Sequence, residues 1–333
     1  MTVRKTLYFT APKQVDIHEE NLPALGDDEI LVETICSAVS AGTEMLIYNG
    51  RFPSDLETDP VILSLRGGFE YPLAYGYACV GKVLEVGQAV NDELKDKLVF
   101  SFQPHTTHFI AKPDSLFPIP ESLSPESACF FANTETAVNL VQDAAPILGE
   151  RVMVFGQGVI GLLTAALLKE FPLESLITAD FYELRRKMSG EIGITKSFEP
   201  ASLNFQETKF DLTFELSGRP ETLNDALSVT TFSGRVVIGS WYGEKCAAID
   251  LGGGFHRSRI KLISSQVSTI APELSGRWDK QRRFDVVWQA LQRIKPEKWI
   301  THRFALDQAA DAYRLLDENP QDAVQVIINY KNL

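Results

Sequence analysis

Apolar positions in the first 117 residues fall into strand-length runs separated by glycine and proline, and no helical repeat is sustained there. The clearest runs lie at residues 30–35, 80–86 and 97–102. This pattern predicts a compact, mostly β domain with a barrel-like arrangement. From Ser124 onward the pattern changes, because Ser124 and Pro125 form a helix start and longer apolar segments follow.

Strand-length and helix-length apolar segments alternate over the rest of the chain. Strands are predicted at residues 152–155, 176–179, 210–215, 235–238, 260–264 and 323–329, and helices at 136–145, 159–171, 278–293 and 307–316. Such alternation is typical of a doubly wound parallel sheet covered by helices. The predicted fold class is therefore α/β.

The first strand of this α/β region ends in a glycine-rich turn. Its residues are Gly156, Gln157, Gly158, Val159, Ile160 and Gly161. In this pattern Gly156 permits a tight turn, Gly158 lets the backbone approach a pyrophosphate, and Gly161 lets the next helix lie close to the strand. The pyrophosphate would bind the free N–H groups at the positive end of that helix. The turn therefore predicts a dinucleotide-binding site.

An acidic residue follows at the distance that this site requires. Asp180 lies 19 residues after Gly161, at the end of the second predicted strand. A carboxylate there accepts hydrogen bonds from the adenosine ribose and repels a 2′-phosphate, which favours NAD over NADP. Arg185 and Arg186 follow closely and could hold a 2′-phosphate, so NADP remains the less favoured alternative.

Composition narrows the function classes further. The 333 residues carry a formal net charge of −12, which disfavours a nucleic acid as partner. No apolar run reaches the length of a membrane span, and the first residues lack a signal-peptide core. The four cysteines form no closely spaced pair, and Cys36 and Cys129 are expected to be buried free thiols. We therefore expect a cytoplasmic protein that binds no nucleic acid and no membrane.

Several motifs together resemble the medium-chain dehydrogenase/reductase superfamily. They are Ala41-Gly42-Thr43-Glu44, the segment PLAYGYACVGKV at 72–83, the glycine turn, and the tail ITHRFALDQAADAYRLL at 300–316. SAVSAGTE at 37–44 and the 72–83 segment are most similar to the bacteriochlorophyllide a dehydrogenase branch. The resemblance implies a GroES-like β-barrel catalytic domain at 1–132, a Rossmann domain at 133–268 and a C-terminal return at 269–333. It also implies a homodimer, paired through the strand at 260–264.

The chain departs from the zinc-dependent members of that superfamily at the metal ligands. The positions that match the three ligands of catalytic zinc are Ala41, Tyr77 and about Ala132. Two methyl groups and a phenol cannot form a tetrahedral zinc site. The four closely spaced cysteines of the structural zinc lobe are also missing. We therefore expect no metal and a zinc-free branch of the superfamily.

Without zinc, other groups must stabilise the oxyanion that hydride transfer creates or consumes. The resemblance assigns this environment to Thr43, which matches a proton-relaying hydroxyl, to Tyr77, and to Glu44, which matches an orienting carboxylate. His105 could act as a general base. Each has a simpler alternative: Tyr77 fills the vacated space, Thr43 is a turn hydroxyl, Glu44 is a structural hydrogen-bond acceptor, and His105 is a packing histidine.

Two loops are expected to flank the nicotinamide, because ligands of open α/β sheets bind beyond the carboxyl ends of the strands. They contain Ser217, which follows the strand at 210–215, and Gly239, which follows the strand at 235–238. Trp241 and Tyr242 in the second loop could form an aromatic wall for a large flat substrate or could pack between domains.

The favoured function is a zinc-independent, NAD(H)-dependent oxidoreductase that transfers hydride between the nicotinamide and a secondary alcohol or ketone of a fairly large organic molecule. Two alternatives remain open. One is a zinc-free reductase of conjugated C=C bonds, such as enones or quinones, that uses NAD(P)H. The other is a nucleotide-binding protein without turnover that serves as a structural or redox-sensing partner.

Overall fold

The computed structural model describes residues 3–53, 62–65, 67–202 and 209–330. The chain divides into two compact units, one formed by residues 1–132 and 295–333 and the other by residues 133–294. Residues 269–294, which the sequence placed with the C-terminal return, are grouped with the second unit. Arg283 accounts for part of this grouping, because its guanidinium donates to the carbonyl oxygens of Val267 and Thr269.

The strands of the described residues are, in chain order, β1 (Val3–Ala11), β2 (Gln14–Asn21), β3 (Ile30–Val39), β4 (Leu73–Ala74), β5 (Cys79–Val86), β6 (Leu98–Ser101), β7 (His108–Ala111), β8 (Phe117–Pro118), β9 (Arg151–Phe155), β10 (Ser175–Ala179), β11 (Ser197–Phe198), β12 (Phe210–Glu215), β13 (Thr230–Ile238), β14 (Lys261–Ser264), β15 (Ile300–Ala305) and β16 (Gln325–Asn329).

The α-helices of the same residues are α1 (Thr43–Tyr48), α2 (Pro125–Ala128), α3 (Phe131–Ala144), α4 (Val159–Leu168), α5 (Glu183–Glu191), α6 (Thr222–Val229), α7 (Lys280–Ile294) and α8 (Ala309–Glu318). None of the described helices has both the length and the apolar character needed to cross a bilayer.

The described part of the first unit contains two β-sheets. Three strands pair in the order β2-β1-β4, and seven form a second sheet in which β15-β16-β3-β5-β6-β8 are neighbours and β7 also pairs with β3. The strand pairs are antiparallel except for β15 and β16. Backbone hydrogen bonds from Leu7 N–H to His105 O and from Thr107 N–H to Lys5 O connect the two sheets. The segment that carries His105 therefore joins them.

The core of the first unit brings the N-terminal strand and the C-terminal helix together. Leu7 and Phe9 of β1 and Tyr313 of α8 are buried in one apolar cluster. The ring of Tyr313 stacks on Tyr48 and contacts Phe9 edge-on. The C-terminal segment is thus part of the same core as the start of the chain.

The second unit contains the predicted parallel sheet. Its six described strands lie in the order β11-β10-β9-β12-β13-β14, and all of its pairs are parallel. Numbered from β9, this is the order 3-2-1-4-5-6 of the Rossmann fold, which confirms the predicted class. Phe155, Ala179, Glu215 and Ile238 are in register at the carboxyl ends of the four central strands. The turns that follow them therefore share one edge of the sheet.

Two local predictions are confirmed. Ser124 caps α2, because its side chain accepts a hydrogen bond from the Ser127 N–H at 3.1 Å and Pro125 occupies the first helical position. Cys36 and Cys129 are buried free thiols whose sulfur atoms lie 3.4 Å apart. Burial raises the pKa of the Cys129 thiol well above its usual value, so it stays protonated.

Candidate functional site

The glycine turn after β9 has the backbone geometry that a dinucleotide requires. Gly156 has a φ of +91°, which favours glycine. A Cβ atom added at Gly161 would lie 1.9 Å from the carbonyl oxygen of Gly156, so only glycine lets α4 start this close to the strand. The amide side chain of Gln157 is buried and donates to Gly156 O at 2.8 Å.

The start of α4 can accept an anion. Gly158 is the N-cap, has extended backbone angles and makes no side-chain capping hydrogen bond. The N–H groups of the first helical turn, which includes Val159 and Ile160, have no partner within a helix. A Cβ atom at Gly158 would meet only Nη1 of Arg185, at 3.9 Å, so the space in front of the turn is open. These residues fit a pyrophosphate, with Arg185 beside it.

The Asp180 carboxylate holds the backbone of the glycine turn and of its own loop. Its carboxylate accepts hydrogen bonds from the Gln157 N–H at 2.7 Å and from the Tyr182 N–H at 2.8 Å, and it is 6% exposed. Arg185 Nη1 lies 4.0 Å from one carboxylate oxygen. Because a carboxylate has about four acceptor positions, Asp180 can still accept from ribose hydroxyls. Arg186 donates to the Asp180 and Phe181 carbonyl oxygens and so holds the backbone of this loop.

The loops after β12 and β13 are held by a buried acid that the sequence did not single out. Glu215 is fully buried, and one of its oxygens accepts hydrogen bonds from both the N–H and the O–H of Ser217. Its other oxygen accepts the Tyr242 O–H at 2.5 Å. Gly239 donates its N–H to the Glu215 carbonyl oxygen at 3.1 Å. Burial raises the pKa of the Tyr242 phenol, so it remains a donor.

Three hydroxyl groups meet in the first unit at the start of α1. The Tyr77 O–H donates to Ser40 Oγ at 2.5 Å, and Ser40 Oγ also accepts the Thr43 N–H at 3.4 Å. Burial raises the pKa of Tyr77, although the hydroxyls of Ser40 and Thr43 act in the opposite direction. We call Ser40, Thr43 and Tyr77 the hydroxyl cluster. All three side chains are half-buried. The sequence analysis did not single out Ser40, because a single serine in a strand-to-helix turn has no distinguishing sequence pattern.

Glu44 and His105 form a buried pair behind the hydroxyl cluster. Both are 0% exposed, and His105 Nε2 lies 3.0 Å from a Glu44 carboxylate oxygen. The other ring nitrogen of His105 lies 2.6 Å from Ser37 Oγ. Both ring nitrogens contact protein groups and the ring is fully buried, an arrangement that matches the packing alternative for His105, while the general-base role stays a prediction. A Cβ atom at Gly76 would lie 2.9 Å from the imidazole, which explains the glycine there.

The residues at the expected metal position do not fit zinc. Ala41 is exposed, the Tyr77 O–H donates to Ser40 Oγ, and Ala132 is buried. Across the described ranges, no three His, Cys, Asp or Glu side chains lie close enough together to hold a metal ion. Neither a methyl group nor a protonated phenol is a zinc ligand.

Comparisons with known proteins extend over almost the whole chain. No family model matches the sequence. Among curated proteins, it is 21% identical to the L-threonine 3-dehydrogenase of Xanthomonas campestris pv. campestris, over 92% of this chain and 94% of that protein.

Solved structures share the fold at low sequence identity. The 2R,3R-butanediol dehydrogenase of Bacillus subtilis superposes with a TM-score of 0.80 at 19% identity, over 98% of this chain and 100% of that one. RspB of Escherichia coli, solved with NADH, gives 0.79 at 20% identity over 98% and 99%. A candidate zinc-binding dehydrogenase of Sinorhizobium meliloti, solved with NADP, gives 0.78 at 19% identity over 99% and 100%.

Proposed function

We propose, from the medium-chain dehydrogenase fold of this chain, that it is a zinc-independent, NAD(H)-dependent oxidoreductase of a secondary alcohol or ketone. The similarity to dehydrogenases over 92–98% of the chain supports an NAD(P)-dependent, alcohol- or polyol-dehydrogenase-like enzyme. The names of the relatives favour alcohol chemistry over C=C reduction and over binding without turnover. We further propose that the enzyme works without zinc and acts on a fairly large substrate.

The hydroxyl cluster is the observation that carries the zinc-free proposal. Tyr77 stands at a position where the family resemblance places a metal ligand, and it bonds to Ser40 instead. Preorganised O–H donors can stabilise negative charge on a substrate oxygen, which is the task that zinc performs elsewhere. We therefore propose that the chain belongs to a zinc-free branch of the superfamily, the branch that resembles bacteriochlorophyllide a dehydrogenase.

The residues of each unit have separate tasks in this proposal. A bound nicotinamide supplies the hydride acceptor or donor. The N-terminus of α4 and Arg185 would hold the pyrophosphate, and Asp180 would accept hydrogen bonds from the ribose hydroxyls. Because Tyr77 donates to Ser40 Oγ, the O–H of Ser40 is left to donate to a substrate oxygen. Burial keeps the Tyr77 phenol protonated at neutral pH, so this chain of two hydroxyls remains a donor.

The choice between NAD and NADP depends on Asp180 and Arg185. Asp180 supports NAD, because its charge would repel a 2′-phosphate. Arg185 lies beside both Asp180 and Gly158, so it could offset that repulsion. Neighbouring structures contain NADH in one case and NADP in another. We therefore propose NAD as the preferred coenzyme and NADP as the less favoured one.

Metal analysis and coupled activity measurements test the proposal. The purified protein should contain far less than one zinc per chain. It should also oxidise at least one secondary alcohol with NAD⁺ after dialysis against a chelator, from a panel that includes L-threonine, 2R,3R-butanediol and larger alcohols. One zinc per chain, with activity lost on its removal, would overturn zinc independence. Failure with every alcohol and ketone would overturn the reaction.

The variant Tyr77→Phe tests the hydroxyl cluster itself. Removal of one preorganised donor should lower kcat by about 10²-fold while leaving the dissociation constant for NADH unchanged. Tyr8→Phe is the control, because it removes another phenol donor of the same unit, one that bonds to the Glu20 carboxylate at 2.6 Å and not to the hydroxyl cluster. An equal kcat in both variants would contradict the role of Tyr77.

A further inference from the structure

Tyr313 contacts the candidate catalytic residues from the far end of the chain. It lies in α8, is 0% exposed, and donates its O–H to a Glu44 carboxylate oxygen at 2.5 Å across 269 residues of sequence. Burial and the neighbouring Glu44 raise the pKa of this phenol well above its usual value, so it remains a donor.

The donors around Glu44 show what this contact holds. One Glu44 oxygen accepts the Ser40 N–H at 2.8 Å, and the other accepts from Tyr313 and lies 3.0 Å from His105 Nε2. The Ser37 hydroxyl lies 2.6 Å from the opposite ring nitrogen of His105, so the imidazole is held between Glu44 and Ser37. A fully buried carboxylate is stable only when such donors surround it.

Glu44 in turn fixes the strand-to-helix turn that carries the hydroxyl cluster. Its side chain accepts the Ser40 N–H, and its own N–H donates to Ser40 O at 3.0 Å, so the turn from Ser40 to Glu44 is closed twice. Ser40 Oγ is the acceptor of the Tyr77 O–H. The orientation of the Tyr77 phenol therefore depends on Glu44 staying in place.

We propose that Tyr313 is a positioning residue for the hydroxyl cluster, acting through Glu44. It anchors the carboxylate, the carboxylate anchors Ser40, and Ser40 orients Tyr77. The C-terminal return thereby contributes a group on which the reaction depends, although this group does not touch substrate. The effect on turnover rests on the proposed function, whereas the effect on Tyr77 does not.

The contribution of the Tyr313 hydroxyl can be measured separately from that of the Tyr313 ring. The ring of Tyr313 stacks on Tyr48 at 5.5 Å and meets Phe9 edge-on at 5.1 Å, and both contacts survive in Tyr313→Phe. The substitution therefore keeps the core volume and removes only the donor to Glu44. Tyr8→Phe is again the matched control, because it removes a phenol donor to a carboxylate at 2.6 Å.

The test reads Tyr77 directly, without a substrate. Protein labelled with ¹³C at the tyrosine ζ carbon gives one signal per tyrosine, and the Tyr77 signal is the one lost in Tyr77→Phe. In Tyr313→Phe the Tyr77 signal should shift or split, and in Tyr8→Phe it should not move. Glu44→Gln should displace the same signal, which keeps the test available if Tyr313→Phe folds poorly.

Turnover supplies the second readout. With the substrate found in the panel, Tyr313→Phe should lower kcat by between about 10-fold and 10²-fold, with KM for the coenzyme unchanged. A Tyr77 signal and a kcat equal to those of the wild type, with only the melting temperature lowered, would overturn the proposal. If the Tyr77 signal moves but no variant or wild type transfers hydride, positioning stands and the proposed function fails.

Discussion

Replacing Gly161 with alanine would place a methyl group 1.9 Å from the carbonyl oxygen of Gly156. Ordinary contact begins at 3.4 Å, so α4 and the turn would have to separate by about 1.5 Å. The turn packs closely on the next loop, since a Cβ atom added at Gly156 would lie 2.5 Å from the carbonyl oxygen of Leu216, so we expect the helix to yield before the turn does. The helix start would therefore move, and the N–H groups that would hold the pyrophosphate would move with it.

The expected cost follows from overpacking. Forcing an extra methyl group into a packed site costs about 1–3 kcal/mol, and the better helix propensity of alanine returns up to about 1 kcal/mol. The middle of the combined range is a net loss of about 1–2 kcal/mol, which lowers the melting temperature of a unit of this size by roughly 2–8 °C. The affinity for the nucleotide should fall by more than about 10-fold, because the N–H groups at the start of α4 that would bind the pyrophosphate are displaced.

Gly190→Ala is the matched control. Gly190 also lies in a helix, α5, and an added Cβ atom there has nothing within 4 Å. This change should leave NADH affinity unchanged and raise stability by up to about 1 kcal/mol. Thermal unfolding followed by circular dichroism and NADH titration by fluorescence measure both quantities. Wild-type affinity and stability in Gly161→Ala would refute the close approach of α4 to the turn.

Two further changes test charge. Asp180→Asn removes the charge but keeps one oxygen that can accept the Gln157 N–H. NADH should therefore bind more weakly, and NADPH should bind better relative to NADH. An unchanged ratio of the two dissociation constants would contradict the contact of Asp180 with the ribose. Asp225 has a pKa raised by burial, partly offset by Arg219. A raised pKa favours folding below the unfolded pKa of 3.8, and this contribution is lost as pH rises through the folded pKa. Asp225→Asn should therefore be more stable than wild type at pH 7 in urea unfolding, with a gap that narrows toward pH 4. A gap independent of pH would contradict this reasoning.

The elements that could be predicted from sequence are those fixed by local chemistry. The strand Phe210–Glu215 was predicted at its observed bounds, and Ser124 caps its helix through its own side chain. Elements with weak local signals were missed. The hairpin of β1 and β2 has charged outward positions, and α1 has only 6 residues, which is too short to show a helical period.

The candidate site divides in the same way. The glycine turn was predictable because Gly156 and Gly161 are required by the backbone itself. The partners of Glu44 were not, because Tyr313 lies 269 residues away and is one of nine tyrosines with no distinguishing neighbours. His105 was expected to reach substrate, yet its burial depends on a β-sheet pairing that no local pattern encodes.

Three acids at or after the carboxyl ends of strands contact the backbone in the same way. Glu44, Asp180 and Glu215 are buried or nearly so, and each accepts a backbone N–H of the turn that carries candidate chemistry. The N–H donors belong to Ser40, Gln157 and Ser217, respectively. An acid at the end of a strand predicts, from sequence alone, a contact with a ligand. In this structure each of these carboxylates also holds the conformation of its turn by accepting a backbone N–H. An Asn or Gln substitution removes the charge but keeps one oxygen that can accept the N–H of the turn. Such a variant therefore tests the contact with the ligand while the turn keeps its hydrogen bond. An alanine substitution removes both the ligand contact and the hydrogen bond to the turn.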